Sequence, residues 1–276
     1  MNRILKTIKK ININKANAFT EKNTHFGFKK IKEEEKESLV AQVFSSVAKN
    51  YDVMNDFMSM GVHRVWKDYL IQNMAPGPNT TLLDVAGGTG DIALRFLNYC
   101  KTMHNDTTSK VKVVDINPNM LAHGKDRYLK SEFSRNGQAE FMLGNAENLE
   151  NIEDSSVDVY TISFGIRNCT HVDKVIAEAY RVLKPGGRLM VLEFSKVNTP
   201  LIKEFYDMYS FNVIPEIGRV VANDRESYQY LVESIRQFPD QVTFANMIKA
   251  AGFSIVDEGY ENLTFGVAAI HTGYKF

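Results

Sequence analysis

The chain has 276 residues, of which 44% are hydrophobic and 24% charged, and 33 basic residues balance 33 acidic ones. This composition is typical of a globular protein with a full core, and no run of 18 apolar residues predicts a membrane span. The two cysteines, Cys100 and Cys169, argue against a disulfide framework, and the spacing of Cys and His gives no reason to expect a metal.

The N-terminal end differs in charge from the remainder of the chain. Residues 1–32 carry nine Lys or Arg and one acid, Glu21, so the rest of the chain is acidic on balance. An acidic body argues against nucleic acid as a partner, because phosphate binding needs a basic surface. The first twenty residues combine isoleucines at helical spacing with basic side chains and no acid, which predicts a mitochondrial presequence over 1–32. A disordered basic tail is the alternative.

Helices are predicted next along the chain. Residues 33–38 are charged and begin the first helix, and apolar residues then recur at three- and four-residue spacing as far as residue 74. This spacing predicts two or three short helices, broken near Gly61, which form an N-terminal lid. Prolines and a glycine in 75–79 end the helical region.

Strands and helices then alternate. The predicted strands are "TTLLDVAG", "KVKVVDINP", "AEFMLGNAE", "VDVYTISFG" and "GRLMVLEFS". Short apolar strands separated by helices predict a mostly parallel sheet covered on both faces, which is a doubly wound, Rossmann-like α/β fold. Residues 101–110 read as an exposed loop.

The last third of the chain returns to helix and then to strand. Residues 200–235 are helical and rich in aromatic residues, and they form an insertion after the fifth strand. A further helix ends near Gly252, and residues 254–276 form a strand pair that adds an antiparallel C-terminal strand. We therefore expect a single domain over 33–276.

A glycine-rich turn follows the first strand of the sheet. It contains Gly87, Gly88 and Gly90, a spacing that does not match the GxGxxG fingerprint of dinucleotide-binding proteins. Asp84 precedes the turn and Asp91 follows it, so a pyrophosphate would be repelled there. S-adenosylmethionine fits instead, because it carries an ammonium and a sulfonium and no phosphate.

Polar residues at the ends of the next strands fit the same ligand. Asp115 ends the second strand, where nucleotide-binding folds place the acid that binds the ribose. Asn145 and Ala146 follow the third strand, and the Asn145 amide is placed to read the adenine amine. The backbone amides of the turn at Gly87 are available to the ligand carboxylate.

Two longer stretches carry a resemblance to a known family. "YDVMNDFMSMGVHRVW" (51–66) and "RVLKPGGRLMVLEFSK" (181–196) resemble the signatures of the ubiquinone/menaquinone biosynthesis C-methyltransferase family. "ISFGIRN" (162–168), "ANDRESYQYLVESIRQFPDQ" (222–241) and the ending "HTGYKF" are also similar. The resemblance covers the chain from about residue 40 to its end.

The resemblance implies a class I S-adenosylmethionine-dependent methyltransferase. It places Thr89, Asp115, Asn145–Ala146 and Ser163 on the cofactor-binding positions of the family. The basic leader and the longer loop at 101–110 favour the mitochondrial ubiquinone branch. "THFGFKKI" (24–31) also resembles the start of the mature mitochondrial enzyme.

The implied reaction is methyl transfer to a ring carbon of a polyprenyl benzoquinol. Such a transfer needs alignment, a hydroxyl beside the target carbon and a group that removes a proton. Arg167 stabilises the developing phenolate or holds a water in one interpretation, and pairs with a buried acid in the other. Tyr51 bonds that water or the substrate hydroxyl, or it simply packs beside a helix cap.

The resemblance also implies other subunits of a ubiquinone-synthesis assembly and peripheral association with the matrix side of the mitochondrial inner membrane. It leaves the oligomeric state open, with a homodimer as one arrangement. Two other functions remain open as alternatives. One is methylation of another small aromatic or lipid-like acceptor, and the other is a non-catalytic scaffold of the assembly.

Overall fold

The structure is a computed structural model, and it describes residues 22–47, 51–197 and 199–276. Its strands are β1 (Asn23–Phe26), β2 (Lys29–Lys32), β3 (Thr81–Val85), β4 (Lys110–Asp115), β5 (Ala139–Leu143), β6 (Val157–Ser163), β7 (Leu183–Phe194), β8 (Tyr260–Leu263) and β9 (Ala268–Tyr274). Its α-helices are α1 (Glu33–Val47), α2 (Tyr51–Ser59), α3 (His63–Met74), α4 (Asp91–His104), α5 (Pro118–Lys130), α6 (Val172–Val182), α7 (Pro200–Met208), α8 (Ile214–Ile217), α9 (Arg225–Gln237) and α10 (Gln241–Ala250).

One large sheet has the strand order β5-β4-β3-β6-β7-β9-β8. Strands β3 to β7 run parallel, and β9 pairs antiparallel with both β7 and β8. This confirms the predicted mostly parallel sheet with an antiparallel C-terminal strand. The chain leaves β3 toward β4 on one side and returns to β6 on the other. Ligands of α/β proteins bind outside the carboxyl ends of the strands at such a switch point.

Both faces of the sheet are covered by helices. Leu82 and Leu83 are adjacent in β3, and they contribute to different apolar clusters because successive strand residues point to opposite faces. The first cluster includes Phe96 of α4, and the second includes Ile176 of α6 and Phe244 of α10. The doubly wound architecture predicted from the alternating pattern is therefore confirmed.

Local sequence explains where several helices begin and end. Gly61 has φ 79°, a left-handed conformation that separates α2 from α3 at the predicted break. The Asn117 side chain accepts hydrogen bonds from the Asn119 and Met120 amides, which caps α5 just after β4. This cap fixes the direction in which the chain leaves the end of β4.

A hairpin precedes the predicted domain boundary at residue 33. β1 and β2 pair antiparallel across a turn at Gly27, which has φ 56°. The Phe26 ring stacks on Tyr230 of α9 at 3.9 Å, and the Phe28 amide donates to Glu233 Oε2 at 2.9 Å. The leader boundary at residue 32 stays a prediction. Within it, residues 23–32 form a hairpin that packs against the domain. Residues 1–21, which hold the rest of that prediction, lie outside the described residues.

The segment predicted as an exposed loop at 101–110 is exposed at most of its residues, but it begins as helix. α4 continues to His104, and of the residues that follow Asp106 and Ser109 are buried. The Asp106 carboxylate accepts hydrogen bonds from the amides of Asn79, Thr108 and Ser109. The polar residues of this segment thus satisfy one another in a short folded connection.

The region predicted as a helical insertion is helical over 200–222 and again from Arg225, with a break at Asn223 and Asp224. It contains α7, two π-helical segments (Tyr209–Val213 and Gly218–Ala222), α8 and α9. Its inner side packs on the main core through Tyr206, Ile214 and Tyr228. The insertion lies between β7 and α10 in the chain.

Candidate functional site

The glycine turn joins β3 to α4 at the switch point of the sheet. Gly88 and Gly90 have φ 44° and 69°, a region that glycine adopts readily. A Cβ at Gly87 would stand 2.8 Å from the backbone oxygen and from Oδ2 of Asp84. The turn therefore needs glycine for its close approach to the strand. Contrary to the prediction for Gly87, its amide donates to the Val114 carbonyl at 3.2 Å, and the Gly88 amide donates to Asp115 Oδ2 at 2.9 Å. Within the described residues, the Thr89 amide has no such bond.

Asp84 lies directly behind this turn. Its side chain is buried, and neither carboxyl oxygen has a hydrogen-bond partner of good geometry among the described residues. Burial, followed by the charges of Asp91 and Asp115, raises the pKa of Asp84 to about 8, and the Lys67 charge and the Ala93 amide offset this only in part. A buried carboxyl group without a partner is suited to receive the ammonium of a ligand.

Asp91 differs from the sequence-based expectation. Lys67 Nζ lies 2.9 Å from Oδ2, and Arg95 Nε and Arg127 Nη2 lie 3.3 and 3.7 Å from Oδ1. Burial opposes ionisation, but these three cations outweigh it and hold the pKa of Asp91 at about 2. Its charge is therefore matched by protein side chains, and Asp84 and Asp115 are the acids that remain for a ligand.

Asp115 stands at the end of β4, as predicted. Its Oδ2 accepts from the Gly88 amide at 2.9 Å and its Oδ1 accepts from the Asn117 amide at 2.8 Å. Burial raises the pKa of Asp115 to about 6. Each carboxylate oxygen has a further lone pair, so Asp115 can also accept the two hydroxyls of a ribose.

A crevice opens beside Asp115. From the sheet side it is lined by residues at or after the ends of β3 to β6: Ala86, Asp115, Ile116, Asn117, Gly144, Asn145, Ala146, Glu147, Phe164, Asn168 and Cys169. From above it is lined by residues of α1: Glu37, Val40, Ala41 and Phe44. Of the predicted cofactor residues, the crevice brings together Asp115, Asn145 and Ala146. The others, Asp84, Gly87, Thr89 and Ser163, lie on the same strand ends but outside its lining.

The Asn145 amide has protein partners. Its Nδ2 donates to Glu37 Oε2 at 3.3 Å, and its Oδ1 accepts from the Glu147 amide at 2.8 Å. The predicted reading of adenine by this side chain would require these contacts to rearrange. The Ser163 hydroxyl is buried without a partner among the described residues, and the Thr89 carbonyl accepts from Arg127 at 3.2 Å.

Arg167 occupies the buried ion pair that was one of its two predicted roles. Its Nη1 lies 2.7 Å from Glu193 Oε1, and both side chains are 1% exposed. The same nitrogen donates to the Phe164 carbonyl at 2.6 Å, and Nε donates to Ser234 Oγ at 3.3 Å. The guanidinium thus fixes the loop after β6, and it does not line the crevice. Tyr51 is the first residue of α2, and its side chain lies outside the described residues.

Sequence reasoning missed the residues that close the crevice from above. Val40 and Phe44 recur at helical spacing in α1, a pattern that ordinary core residues share, and Glu37 precedes them by one turn. Lys67 and Glu193 were also missed, because nothing local in a sequence shows which distant acid or cation a buried charge will meet. The available signal was that both residues lie in apolar segments. A charge buried in such a segment requires a partner, although the sequence does not say which one.

The donor set suits an organic cation rather than a metal. Among the described residues, no three His, Cys, Asp or Glu side chains are grouped as a metal site requires. The unpartnered Asp84, the Asp115 carboxylate and the glycine turn fit the ammonium, ribose and carboxylate of S-adenosylmethionine.

Solved structures show the same fold in distant proteins. The [4+2]-cyclase SpnF superposes with a TM-score of 0.62 at 17% identity, covering 86% of this chain and 94% of the other. A possible histamine N-methyltransferase from Thermotoga maritima, described as S-adenosylmethionine-dependent, gives 0.56 at 17% identity, covering 85% and 99%. At this identity the likeness establishes the class I methyltransferase fold alone.

Sequence relatives are much closer. The chain is 55% identical over 256 residues to the mitochondrial 2-methoxy-6-polyprenyl-1,4-benzoquinol methylase of Schizosaccharomyces pombe, with 91% of this chain and 84% of the relative covered. The human protein of the same name is 53% identical over 280 residues, with the same coverage. The sequence model of the ubiE/COQ5 methyltransferase family matches residues 29–275. The chain therefore belongs to the ubiE/COQ5 methyltransferase family, and it is an S-adenosylmethionine-dependent methyltransferase.

Proposed function

We propose that the chain transfers the methyl group of S-adenosylmethionine to a ring carbon of a polyprenyl methoxy-benzoquinol in ubiquinone biosynthesis. The observation that supports S-adenosylmethionine as the methyl donor is the unpartnered Asp84 beside a glycine turn, with Asp115 at the end of the next strand. The acceptor rests on the identity of 50% or more, over most of the chain, to relatives that carry this activity in their names.

The proposed roles follow the order of the strands. Asp84 pairs with the donor ammonium, and the Thr89 amide receives the donor carboxylate, because the Gly87 and Gly88 amides already donate to protein atoms. Asp115 accepts the ribose hydroxyls. Asn145 and Ala146 border the adenine, and the free hydroxyl of Ser163 faces the methionine end of the donor.

The protein aligns the ring carbon with the methyl group, and the hydroxyl beside that carbon supplies electron density. For Arg167 we propose a positioning role, because its Nη1 already donates to Glu193 and to the Phe164 carbonyl. Removing Arg167 would then disturb the loop that borders the crevice rather than the reacting atoms. Tyr51 keeps its proposed place as a hydrogen-bond donor to the substrate hydroxyl or to a water beside it.

The proposed substrate is dissolved in a membrane, and we place the protein peripherally on the matrix side of the mitochondrial inner membrane, with other subunits of the synthesis assembly. No helix within the described ranges is long and apolar enough to cross a bilayer. Leu201, Phe205 and Met208 form an exposed apolar row along α7, with 78%, 58% and 56% of their surfaces accessible. Such a row suits contact with a lipid surface.

Purified protein incubated with S-adenosylmethionine carrying a labelled methyl group and a short-chain demethylated benzoquinol tests this function. We expect a singly methylated product with the label on a ring carbon, located by fragment mass spectrometry. Label on oxygen, or turnover only with another aromatic or lipid-like acceptor, would support the first alternative. Normal donor binding without turnover on any quinol would support the scaffold.

A further inference from the structure

A buried histidine stands at the start of α3. His63 is 1% exposed, and its Nε2 lies 2.8 Å from Oδ1 of Asp56 on α2. The backbone is held in place because the Ser59 hydroxyl accepts from the His63 amide at 3.1 Å. The second ring nitrogen, Nδ1, is buried and has no hydrogen-bond partner among the described residues. A buried ring nitrogen without a partner is uncommon and calls for an explanation.

The state of Asp56 fixes the tautomer of this ring. Arg64 donates to both Asp56 oxygens, at 3.0 and 2.9 Å, and these bonds hold the pKa of Asp56 at about 2. An ionised carboxylate only accepts hydrogen bonds, so Nε2 of His63 must carry the proton. The neutral ring then presents Nδ1 as a bare acceptor. Burial, followed by the charge of Lys67, lowers the pKa of His63 and keeps the ring neutral.

α3 begins near the carboxyl ends of the strands, where the Trp66 ring lies 6.3 and 6.1 Å from the rings of Phe164 and Phe194. Lys67, one turn further along, donates to Asp91 at the start of α4 and lies 6.0 Å from the Phe164 ring that borders the crevice. Leu70 and Met74 continue the same helix into the core beside the sheet. His63 comes one turn before Lys67, so it lies on the side of the sheet where the strands have their carboxyl ends, outside the lining of the crevice itself. An acceptor approaches the donor methyl from this side of the sheet.

We propose that His63, oriented by Asp56, accepts the proton of the substrate hydroxyl during methyl transfer. This rests on the proposed function, since it assumes an acceptor with a hydroxyl beside the carbon that is methylated. The substrate hydroxyl is then the hydrogen-bond donor to Nδ1 that the described protein residues do not supply.

The O–H proton passes to Nδ1, and the O–H electron pair forms a C=O bond as the ring π pair forms the new C–CH₃ bond. The S–CH₃ pair stays on sulfur and leaves a neutral thioether. The ring C–H proton then departs to water, its electron pair restores the aromatic ring, and the imidazolium returns its proton to the oxygen. One proton is released in total, and His63 ends neutral.

The test compares His63→Gln with His123→Gln, whose histidine is exposed on α5. General-base catalysis is worth ~10²–10⁴-fold in rate, so we expect kcat of His63→Gln to fall by at least about 10²-fold while calorimetric binding of S-adenosylhomocysteine is unchanged. The wild-type kcat should fall as the pH drops through the His63 pKa, and this acid limb should vanish in His63→Gln. A fluorinated quinol with a more acidic hydroxyl should recover part of the lost rate in that variant. His123→Gln should behave as wild type.

Asp56→Asn provides a second variant if His63→Gln does not fold. It removes the carboxylate that favours the protonated ring, so the acid limb should move to lower pH and kcat should fall. Wild-type kcat and an unchanged pH profile in either folded variant would overturn the role of His63. Absence of quinol methylation by the wild-type protein would instead overturn the proposed function, so the two failures are distinguishable.

Discussion

The carboxyl group of Asp84, behind the glycine turn, makes donor binding depend on pH. Asp84 has a pKa raised to about 8, so in the free protein it is mostly protonated at pH 7. Pairing with an ammonium favours the carboxylate and lowers that pKa in the complex. Donor binding at pH 7 should therefore release a proton, and affinity should rise with pH up to about 8 and then level off.

Calorimetry in two buffers of different ionisation enthalpy measures the released proton directly. We expect nearly one proton per S-adenosylhomocysteine at pH 7 and fewer at pH 9. Asp84→Asn should bind more weakly and lose this dependence on pH. An uptake of protons, or the same release in Asp84→Asn, would contradict the assigned pairing.

The buried pair of Arg167 and Glu193 makes a prediction about stability. Arg167→Met leaves the Glu193 carboxylate buried without its partner, and such a loss costs ~3–5 kcal/mol in the free energy of unfolding. The double variant Arg167→Met/Glu193→Met removes both charges and should recover most of that loss in urea unfolding.

Turnover of the double variant separates the two predicted roles of Arg167. A positioning role predicts that the folded double variant retains measurable methyl transfer. If it is as stable as wild type, binds S-adenosylhomocysteine normally and still has no activity, Arg167 acts on the substrate itself.

Residues of the site were predictable where a strand end specified them. Asp115 follows an apolar strand in register with the other strand ends, and the sequence places it correctly. Glu193 lies inside another strand, and its partner is 26 residues away. That contact depends on the strand order β6-β7 and on the turn at Ile166–Asn168, which local spacing does not encode.

At the scale of elements, the hairpin β1–β2 links the N-terminal region to the crevice. Phe26 stacks on Tyr230, whose hydroxyl donates to Asn168 Oδ1 at 2.9 Å, and Asn168 borders the crevice. Phe26→Ala removes a half-buried ring, so we expect a loss of about 2 kcal/mol in the free energy of unfolding, less than the ~3–5 kcal/mol of a fully buried phenylalanine.

Urea unfolding of the full chain measures this loss, and Phe28→Ala is the matched control because the Phe28 ring is 53% exposed. Equal losses in both variants would contradict the specific role given to the Phe26 stack. No loss in either would show that the hairpin adds little to the domain.

The hairpin and the connection after α4 show where the prediction of elements fails. A charge count identified residues 1–32 as one basic segment, although a glycine and two aromatic residues at 26–28 are enough to form a hairpin once α9 is present to receive it. Likewise, 101–110 is polar in composition, yet Asp106 gathers its neighbours into a folded connection. The composition of a segment therefore does not predict which tertiary contacts its residues make.

At the scale of the whole molecule, the alternation of strands and helices was sufficient for the fold. Each predicted strand was apolar and short, and a parallel sheet covered by helices on both faces buries such strands. The fold alone does not determine the reaction, since a [4+2]-cyclase shares it at a TM-score of 0.62. The acceptor was indicated instead by the two signature stretches and by the identity to the benzoquinol methylases.

At the same scale, the exposed row on α7 tests the proposed contact of the protein with a membrane. Phe205→Glu places a charge in the middle of this row, so binding to vesicles of neutral and anionic phospholipids should weaken several-fold in a flotation assay. Val242→Glu, at an apolar residue of α10 that is 57% exposed, should bind as wild type. Equal binding by wild type and Phe205→Glu would remove α7 from the proposed membrane surface.

The central claim is that the crevice beside the glycine turn holds S-adenosylmethionine. A crystal structure of the protein with S-adenosylhomocysteine tests it most directly. We expect the ribose hydroxyls within hydrogen-bond distance of Asp115, the adenine between α1 and the residues after β5, and the amino group at Asp84. A ligand bound elsewhere, or an empty crevice at saturating concentration, would contradict it.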